Sequence, residues 1–569
     1  MTRWSRQPYA KLRQAGPDRR YKEIRVVNPA RGLNLLVADV LANDKEATAG
    51  TKNVEYAEGG VVRKRPGYTA TGTGLSNPSD GLGIFTSNST THMLCSDGGT
   101  MKKYVSGTWS AVTGAVTMDP SAKVSLTTLF GKTYGWDGIN GGVVYDGTSI
   151  TRPGTMPKAK FSVIYKGYHV ASGVDGQLFR VYFAKSSEPS RFTDNVTPTG
   201  DDIGLNDATN VPGATVFSGT AGPRAIDINK NDGQRVTGIG FFQDVLIIFK
   251  EESIYQLYFN DSDGFVVQRI SSSYGAVAHD PIASVENDCY FLTDKGIYVL
   301  GNEPNYYASI RTNELTSRVK TLLQRITDWD KCRAIYHDDR YWLTVPLDTG
   351  DVNAMIVYDR RFYAWALWDG IEARDMIIFK DRDGDGQKHF YFLDDNEPQM
   401  QEFLWGSYND NGETINQVFR TRAFEGKLIE IEKYWYTLRP IFRRTTGEVN
   451  INYITEKGSD GASVRLSTGE SGGIGVDNIG ALLYGTSQVD TYTAEDLGLT
   501  GVVGLEESAS SSSTDSTHSV FDIGVNLDSR TLKVEFSNNN LNESFTLLGW
   551  IITYQTKDPA REDGSFTIR

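Results

Sequence analysis

The sequence predicts an all-β fold, and three observations carry that prediction. From about residue 82 onward, short runs alternate apolar and polar positions with period two and are cut by Gly, Asp and Asn turns. Aromatic residues make up 11% of the chain, with 58 glycines and only 18 prolines, a profile that fits a glycine-turned β protein and excludes disorder. The strand groups recur every few tens of residues and share a loose element, Trp136-Asp137-Gly138, Tyr145-Asp146-Gly147 and Trp368-Asp369-Gly370. A unit of three or four antiparallel strands cannot bury both faces alone, so repetition around an axis follows, which is the logic of a β-propeller. Six or seven such units fit between about 82 and 405, and six to eight blades bracket the expectation.

Residues 1–32 form a basic N-terminal arm. Nine cations there meet two anions, a net of +7, so the remaining chain carries −20 of the overall −13. A basic, nearly core-free arm on an acidic body suggests docking on something negative, with Arg3, Arg6, Lys11, Arg13, Arg19 and Arg20 as the docking cations. The alternative is a solvated tail. Residues 33–81 read as lead-in or platform strands, and 82–425 as the propeller.

Within the propeller, VTGIGFFQDVLIIFKEESIYQLYF (236–259) holds three apolar runs separated by Gln243-Asp244 and Glu251-Glu252-Ser253. PIASVENDCYFLTDKGIYVLG (281–301) repeats that design, and AIYHDDRYWLTVPL (334–347) with NAMIVYDRRFYAWALWDG (353–370) continues it. In 312–330, Leu315, Val319, Leu322 and Ile326 are spaced by four, three and four, which predicts one amphipathic helix. Residues 426–455 and 520–569 carry the strands of a small β-sandwich or platform. Between them, 456–519 is a Gly/Ser-rich insertion with ten acidic side chains against Lys457 and Arg465.

Chemistry is sparse. Three scattered cysteines without a CxxC pair imply free thiols and a reducing compartment during folding. The N-terminus lacks the apolar run of a signal peptide, and no stretch approaches a membrane span. No P-loop, GxSxG or HExxH occurs, and the six histidines lack ligand spacing, so no catalytic residue and no cofactor is assigned. The metal candidate is Asp381, Asp383 and Asp385 in DRDGDG, which matches the first half of an EF-hand loop. Phe392 stands where the bidentate glutamate belongs, and a turn rich in Asp and Gly explains the stretch equally.

Residues 28–68, NPARGLNLLVADVLANDKEATAGTKNVEYAEGGVVRKRPGY, resemble the start of the tail nozzle proteins of short-tailed bacteriophages, also called tail tubular protein B or packaged-DNA stabilisation protein. The resemblance runs through Gly32-Leu33-Asn34, Asn43-Asp44, Asn53, Gly59 or Gly60, and Arg65-Pro66-Gly67. Its further echoes, such as IGFFQDVLIIFKEESIYQL and ENDCYFLTDKGIYVL, extend it over most of 28–410; the arm and the 456–519 insertion depart from the pattern. It implies a structural virion protein in the phage tail, folded in the host cytoplasm. Six copies would form a ring that closes the tail, retains packaged DNA and forms the exit channel on ejection. Implied partners are a tail adaptor above, fibres or spikes at the periphery, and DNA passing without sequence-specific binding. An acidic wall suits that passage, because affinity for DNA comes from cations that displace counterions. The alternatives are a propeller that binds or degrades glycans and a fibre-anchoring hub without a channel.

The basic triplet Arg63, Lys64 and Arg65 stands just before Pro66-Gly67. As strand residues, Arg63 and Arg65 share one face and Lys64 takes the other, with Pro66-Gly67 turning the chain into the propeller. Alternatively the triplet pairs with acidic groups of a neighbouring subunit.

Overall fold

The computed structural model describes residues 21–88, 90–184, 188–192, 215–217, 224–243, 245–260, 264–380, 386–426, 429–443, 447–466 and 518–557, apart from 303–309. Among the described residues, seven sheets built on antiparallel strands stand in a ring. Their innermost strands are Ser79–Thr86, Ser125–Leu129, Phe161–Tyr165, Val236–Phe242, Ala283–Val285, Arg333–His337 and Ala373–Lys380; each lies beside the next, and the seventh lies beside the first. The fold is a seven-bladed β-propeller.

Local sequence explains the blades. In blade 4 the apolar runs expected in 236–259 become Val236–Phe242, Val245–Lys250 and Ile254–Asn260, paired in antiparallel register. Asp137 caps a turn by accepting the N–H groups of Asp119, Ile139 and Asn140 at 2.9, 3.0 and 2.7 Å. Asp146 does the same for Thr148 and Ser149, both at 2.8 Å. Buried apolar clusters fill the spaces between successive blades, for example Leu246, Ile248 and Leu257 of blade 4 against Phe161, Val170 and Val181 of blade 3.

Blade 7 is completed from a distance. Gly67–Thr71 pairs with Met400–Leu404 as a further strand of that blade, so a segment expected among the lead-in strands closes the ring. The rest of the lead-in belongs to the sandwich. Val54–Ala57 and Val61–Lys64 join Thr546–Thr556, Lys433–Arg443, Lys22–Val27, Ile523–Ser529 and His518–Val520 in one sheet. The facing sheet holds Gln417–Phe424, Leu532–Asn538, Gly447–Thr455 and Gly458–Leu466. Phe419 and Phe536 of that sheet meet Trp550 of the other with ring centroids 6.0 and 5.9 Å apart.

Two boundaries therefore move. The propeller was expected to run to 425, but Gln417–Phe424 is a sandwich strand, because its apolar residues face Trp550 rather than a blade. The insertion was expected from 456, but Gly458–Leu466 continues the sandwich sheet as the partner of Gly447–Thr455. Residues 467–517 lie outside the described residues.

The expected amphipathic helix is also corrected. Only Lys320–Leu323 is helical, while Ile310–Glu314 is the outer strand of blade 5, paired with Gly296–Asn302. Val319, Leu322 and Ile326 are buried as expected, but a compact turn brings them there, and the hydroxyl of Thr316 accepts the N–H of Ile297 at 3.0 Å. The sheet partner overrides the helical spacing.

One apolar core crosses the domain boundary. Trp342, Trp368, Phe390, Phe392 and Phe403 of blades 6 and 7 belong to the same buried cluster as Phe419, Trp435, Phe536 and Trp550 of the sandwich. Among the described residues, no helix is long and apolar enough to cross a membrane.

Candidate functional site: the domain seam and the sealed mouth

The basic triplet lies on the seam between propeller and sandwich. Arg65 follows the strand Val61–Lys64 and is 1% exposed. Its guanidinium donates to Asn53 Oδ1 at 3.0 Å, to the two Asp410 oxygens at 2.9 and 2.5 Å, and to the carbonyls of Pro66 and Asp369 at 3.1 and 3.2 Å. Burial pushes the Asp410 carboxyl up, against the pull of Arg65. Asn53 in turn accepts the Asp369 N–H at 3.0 Å and donates to Asp369 and to the carbonyl of Asn416.

Lys64 is fully buried. It donates to Asn538 Oδ1 at 2.8 Å and to the carbonyl of Glu543 at 2.7 Å, and burial lowers its amine to about 8, assisted by Arg65. Arg63 pairs with the buried Glu55 at 2.7 Å. Lys64 and Arg65 are therefore internal pins, which removes them as contacts to a neighbouring subunit. A fully buried guanidinium with a bidentate partner has no group left to offer outside.

The other motif residues collect at the same seam. Gly32 adopts φ +80°, and a Cβ there would lie 2.5 Å from the Trp365 nitrogen of blade 6. Asn34 donates to the buried Glu46 at 2.8 Å, and Glu46 accepts the Asn43 N–H at 2.9 Å. Gly67 admits the backbone of Asn409 so closely that a Cβ would lie 1.9 Å from its carbonyl oxygen. Asp369, from the third Trp-Asp-Gly element, accepts Lys52 at 2.6 Å, so this element braces the seam while the first two cap turns.

A second charged cluster seals one mouth of the propeller. Arg333, the first residue of blade 6, pairs with Asp80 of blade 1, with Asp375 of blade 7 at 3.1 Å, and stands 3.8 Å from Asp280, just before blade 5. Arg374 reaches Asp80 at 3.1 Å. Lys123, just before blade 2, pairs with Asp280 and donates to the Asp330 carbonyl at 2.6 Å. Blades 2 and 5 are as far apart as a ring of seven allows, so this pair bridges the axis.

Three carboxylates meet three cations here, and position decides which of them titrates abnormally. Burial raises Asp375 to about 6, with Asp80 adding to the rise and Arg333 opposing it. Burial also acts on Asp280, but Lys123 and Arg333 outweigh it and hold that carboxyl well below its usual range. Arg333 is held firmly charged, its desolvation outweighed by Asp375, Asp80 and Asp280.

No sequence motif flagged this cluster. A positional signal exists, since Asp80, Lys123, Asp280, Arg333 and Asp375 all lie within three residues of the start of an innermost strand. Beside the seal lies a depression of about 650 Å³ whose lining includes Asp232, Glu251, Glu252, Asp294, Asp328 and Asp330, with Arg235. Arg235 pairs with Glu251 at 3.0 Å.

The remaining sequence candidates are quickly placed. Arg3, Arg6, Lys11, Arg13, Arg19 and Arg20 lie outside the described residues, as do Asp381, Asp383 and Asp385. Among the described residues, no group of three or more His, Cys, Asp or Glu side chains could hold a metal ion. Cys95, Cys289 and Cys332 are buried free thiols whose burial pushes them up, away from reactivity.

No family model and no curated protein matches the chain. Solved structures similar to it include YCF48 bound to D1 peptide, at 8% identity and TM-score 0.34, over 63% of this chain and 98% of that one. BamB from Moraxella catarrhalis is similar at 7% identity and TM-score 0.32, over 62% of this chain and 94% of that one. An exo-β-1,3-galactanase from Phanerochaete chrysosporium, with β-1,3-galactotriose, is similar at 11% identity and TM-score 0.23, over 85% of this chain and all of that one. At such scores these likenesses carry no argument about function, and the seven blades rest on the chain's own strand pairing.

Proposed function

We propose that this propeller protein is a structural component of a phage tail, a nozzle of six copies that closes the tail, retains packaged DNA and forms its exit path. The observation that carries the reading is the ordered set of motifs in 28–68, supported by the meeting of those same residues in one lock between two domains. Gly32, Asn53, Arg65 and Gly67 are spaced along the sequence yet bring the lead-in against Trp365, Asp369, Asp410 and Asn409, while Asn34 and Asn43 hold Glu46 locally. Residues used that way suit a part that must transmit force without deforming.

The sealed mouth refines the proposal. The axis of a single propeller is bridged by Lys123 and Asp280, so the DNA path in this reading lies between copies and not through one of them. The acidic body facing that path keeps the DNA unbound. No catalytic step is assigned, and the basic arm is given to the adaptor or to adjoining fibres.

The experiment is electron microscopy of the intact particle with a gold label on the C-terminus. Six-fold label at the free tip of a short tail is the expected result. Label scattered along appendages would favour the fibre-anchoring hub, and absence from the particle would overturn the nozzle and bring the glycan-active propeller forward.

A further inference from the structure

Lys64 ends the strand Val61–Lys64 of one sandwich sheet, and Asn538 ends the strand Leu532–Asn538 of the facing sheet. Both side chains are interior, at 0% and 1% exposure. The Lys64 Nζ donates to Asn538 Oδ1 at 2.8 Å, so the amide carbon of Asn538 is one bond beyond the atom that the amine already touches. Its other acceptors are the carbonyl oxygens of Glu543 at 2.7 Å and Asn540 at 3.5 Å. The Asn538 Nδ2 donates to the Glu448 carbonyl at 2.6 Å and to the Glu543 carboxylate at 3.3 Å. That carboxylate is held in place by the Glu448 N–H at 3.0 Å and the Asn540 Nδ2 at 2.8 Å.

A lysine amine, an asparagine amide and a carboxylate gathered inside a β-sandwich are the parts of a self-catalysed amide exchange. We propose that Lys64 and Asn538 become joined by a side-chain amide bond, with Glu543 carrying the proton. The uncharged Nζ attacks Asn538 Cγ, and a new C–N bond forms. Glu543 takes a proton from Nζ and returns it to Nδ2, the Cγ–Nδ2 bond breaks, and ammonia leaves. One amine and one primary amide thus give one secondary amide and one ammonia, with no other reactant in the balance.

The surroundings favour each part of that step. Burial lowers the Lys64 amine to about 8, with Arg65 adding to the fall and Glu543 and Asp410 opposing it. Uncharged amine is therefore present near neutral pH, where an ordinary lysine has almost none. Desolvation pushes Glu543 up, but hydrogen bonds from Asn540, Glu448 and Asn538 outweigh it and hold the carboxyl below its usual range, so it is ionised and can accept a proton. The fold keeps amine and amide in contact, which replaces a chance encounter by an intramolecular reaction. The bond would tie positions 474 apart in the sequence, linking the two sheets beside the propeller seam. It stands or falls independently of the nozzle reading.

The test is intact-mass spectrometry of the purified full-length chain, followed by proteolysis. The wild type is expected to weigh less than its sequence by one ammonia. Its digest is expected to contain a branched peptide joining the segment that carries Lys64 to the one that carries Asn538. Glu543→Gln retains a side-chain acceptor for Glu448 and Asn540, and is expected to form the bond about a hundredfold more slowly. A folded wild type that keeps its full sequence mass after prolonged incubation at pH 8 overturns the inference, whether or not the variant folds. Ammonia loss that maps to Asn411-Gly412 instead of a branched peptide also overturns it. Conversion of Asn538 to aspartate does the same, because water and not Lys64 then reaches the amide. A bond formed as fast in Glu543→Gln overturns the part given to Glu543.

Discussion

Replacing Arg65 by Met isolates the role of the triplet. The substitution keeps much of the side-chain volume but removes donors to Asn53, Asp410, Pro66 and Asp369. Asp410, with a side chain only 11% exposed and a carboxyl already raised by burial, is left without its partner. Breaking one side of a buried pair costs about 3–5 kcal/mol, chiefly because the other charge stays buried and uncompensated. Urea unfolding of the full-length chain, followed by tryptophan fluorescence from Trp342 and Trp368 beside the seam, should show a loss of that size. Replacing Asp410 by Leu in the same chain should recover part of it, since the orphaned charge is then gone. A loss below about 1 kcal/mol would refute the internal lock and return Arg65 to the class of surface contacts, whose removal is nearly free.

Other expectations follow from close packing and from the seal. Gly67→Ala forces a Cβ onto the Asn409 carbonyl and should cost about 1–3 kcal/mol in the same unfolding assay; a neutral result would mean the backbone there yields freely. Arg333→Met strips three carboxylates of their shared partner and should speed amide exchange at Leu82, whose N–H donates to Asp375 at 2.5 Å; unchanged exchange would show that the seal does not depend on Arg333. Asp375 rises from its usual 3.8 to about 6, so the folded protein holds that proton more tightly than the unfolded chain, and ionisation costs stability as pH climbs through 6. The stability of Asp375→Asn relative to the wild type should therefore improve by about 2–3 kcal/mol from pH 4 to pH 8, whatever constant offset the substitution brings, and a flat difference would contradict the shift.

Local features were legible in the sequence and distant pairings were not. The blade 4 and blade 5 strands announced themselves because their alternation and turn residues are contiguous, as in 236–259. The closure of blade 7 by Gly67–Thr71 was hidden, because nothing in five residues specifies a partner at Met400–Leu404. The helix over 312–330 failed for a related reason: spacing of four, three and four describes burial on one side, and a tight turn beside a sheet satisfies it as well as a helix does.

The sites divide along the same line. The triplet was visible as an oddity in an acidic chain, but its partners Asp410, Asn538 and Glu543 lie hundreds of positions away. The seal was invisible residue by residue, since single charges at strand starts look like ordinary solvated ends until the ring brings them together.

The way blade 7 is completed also sets an order of events during synthesis. Gly67–Thr71 leaves the ribosome early but cannot dock until Met400–Leu404 exists, and Lys22–Val27 must wait still longer for Thr546–Thr556. Pairings so far apart in sequence form slowly, because the intervening chain must first be brought to order. A nascent or truncated chain thus lacks both a closed ring and a finished platform, and exposes unpaired strand edges in the meantime. Only once both late strands are made can the ring close and the platform finish, so chain completion itself acts as a checkpoint on the final fold.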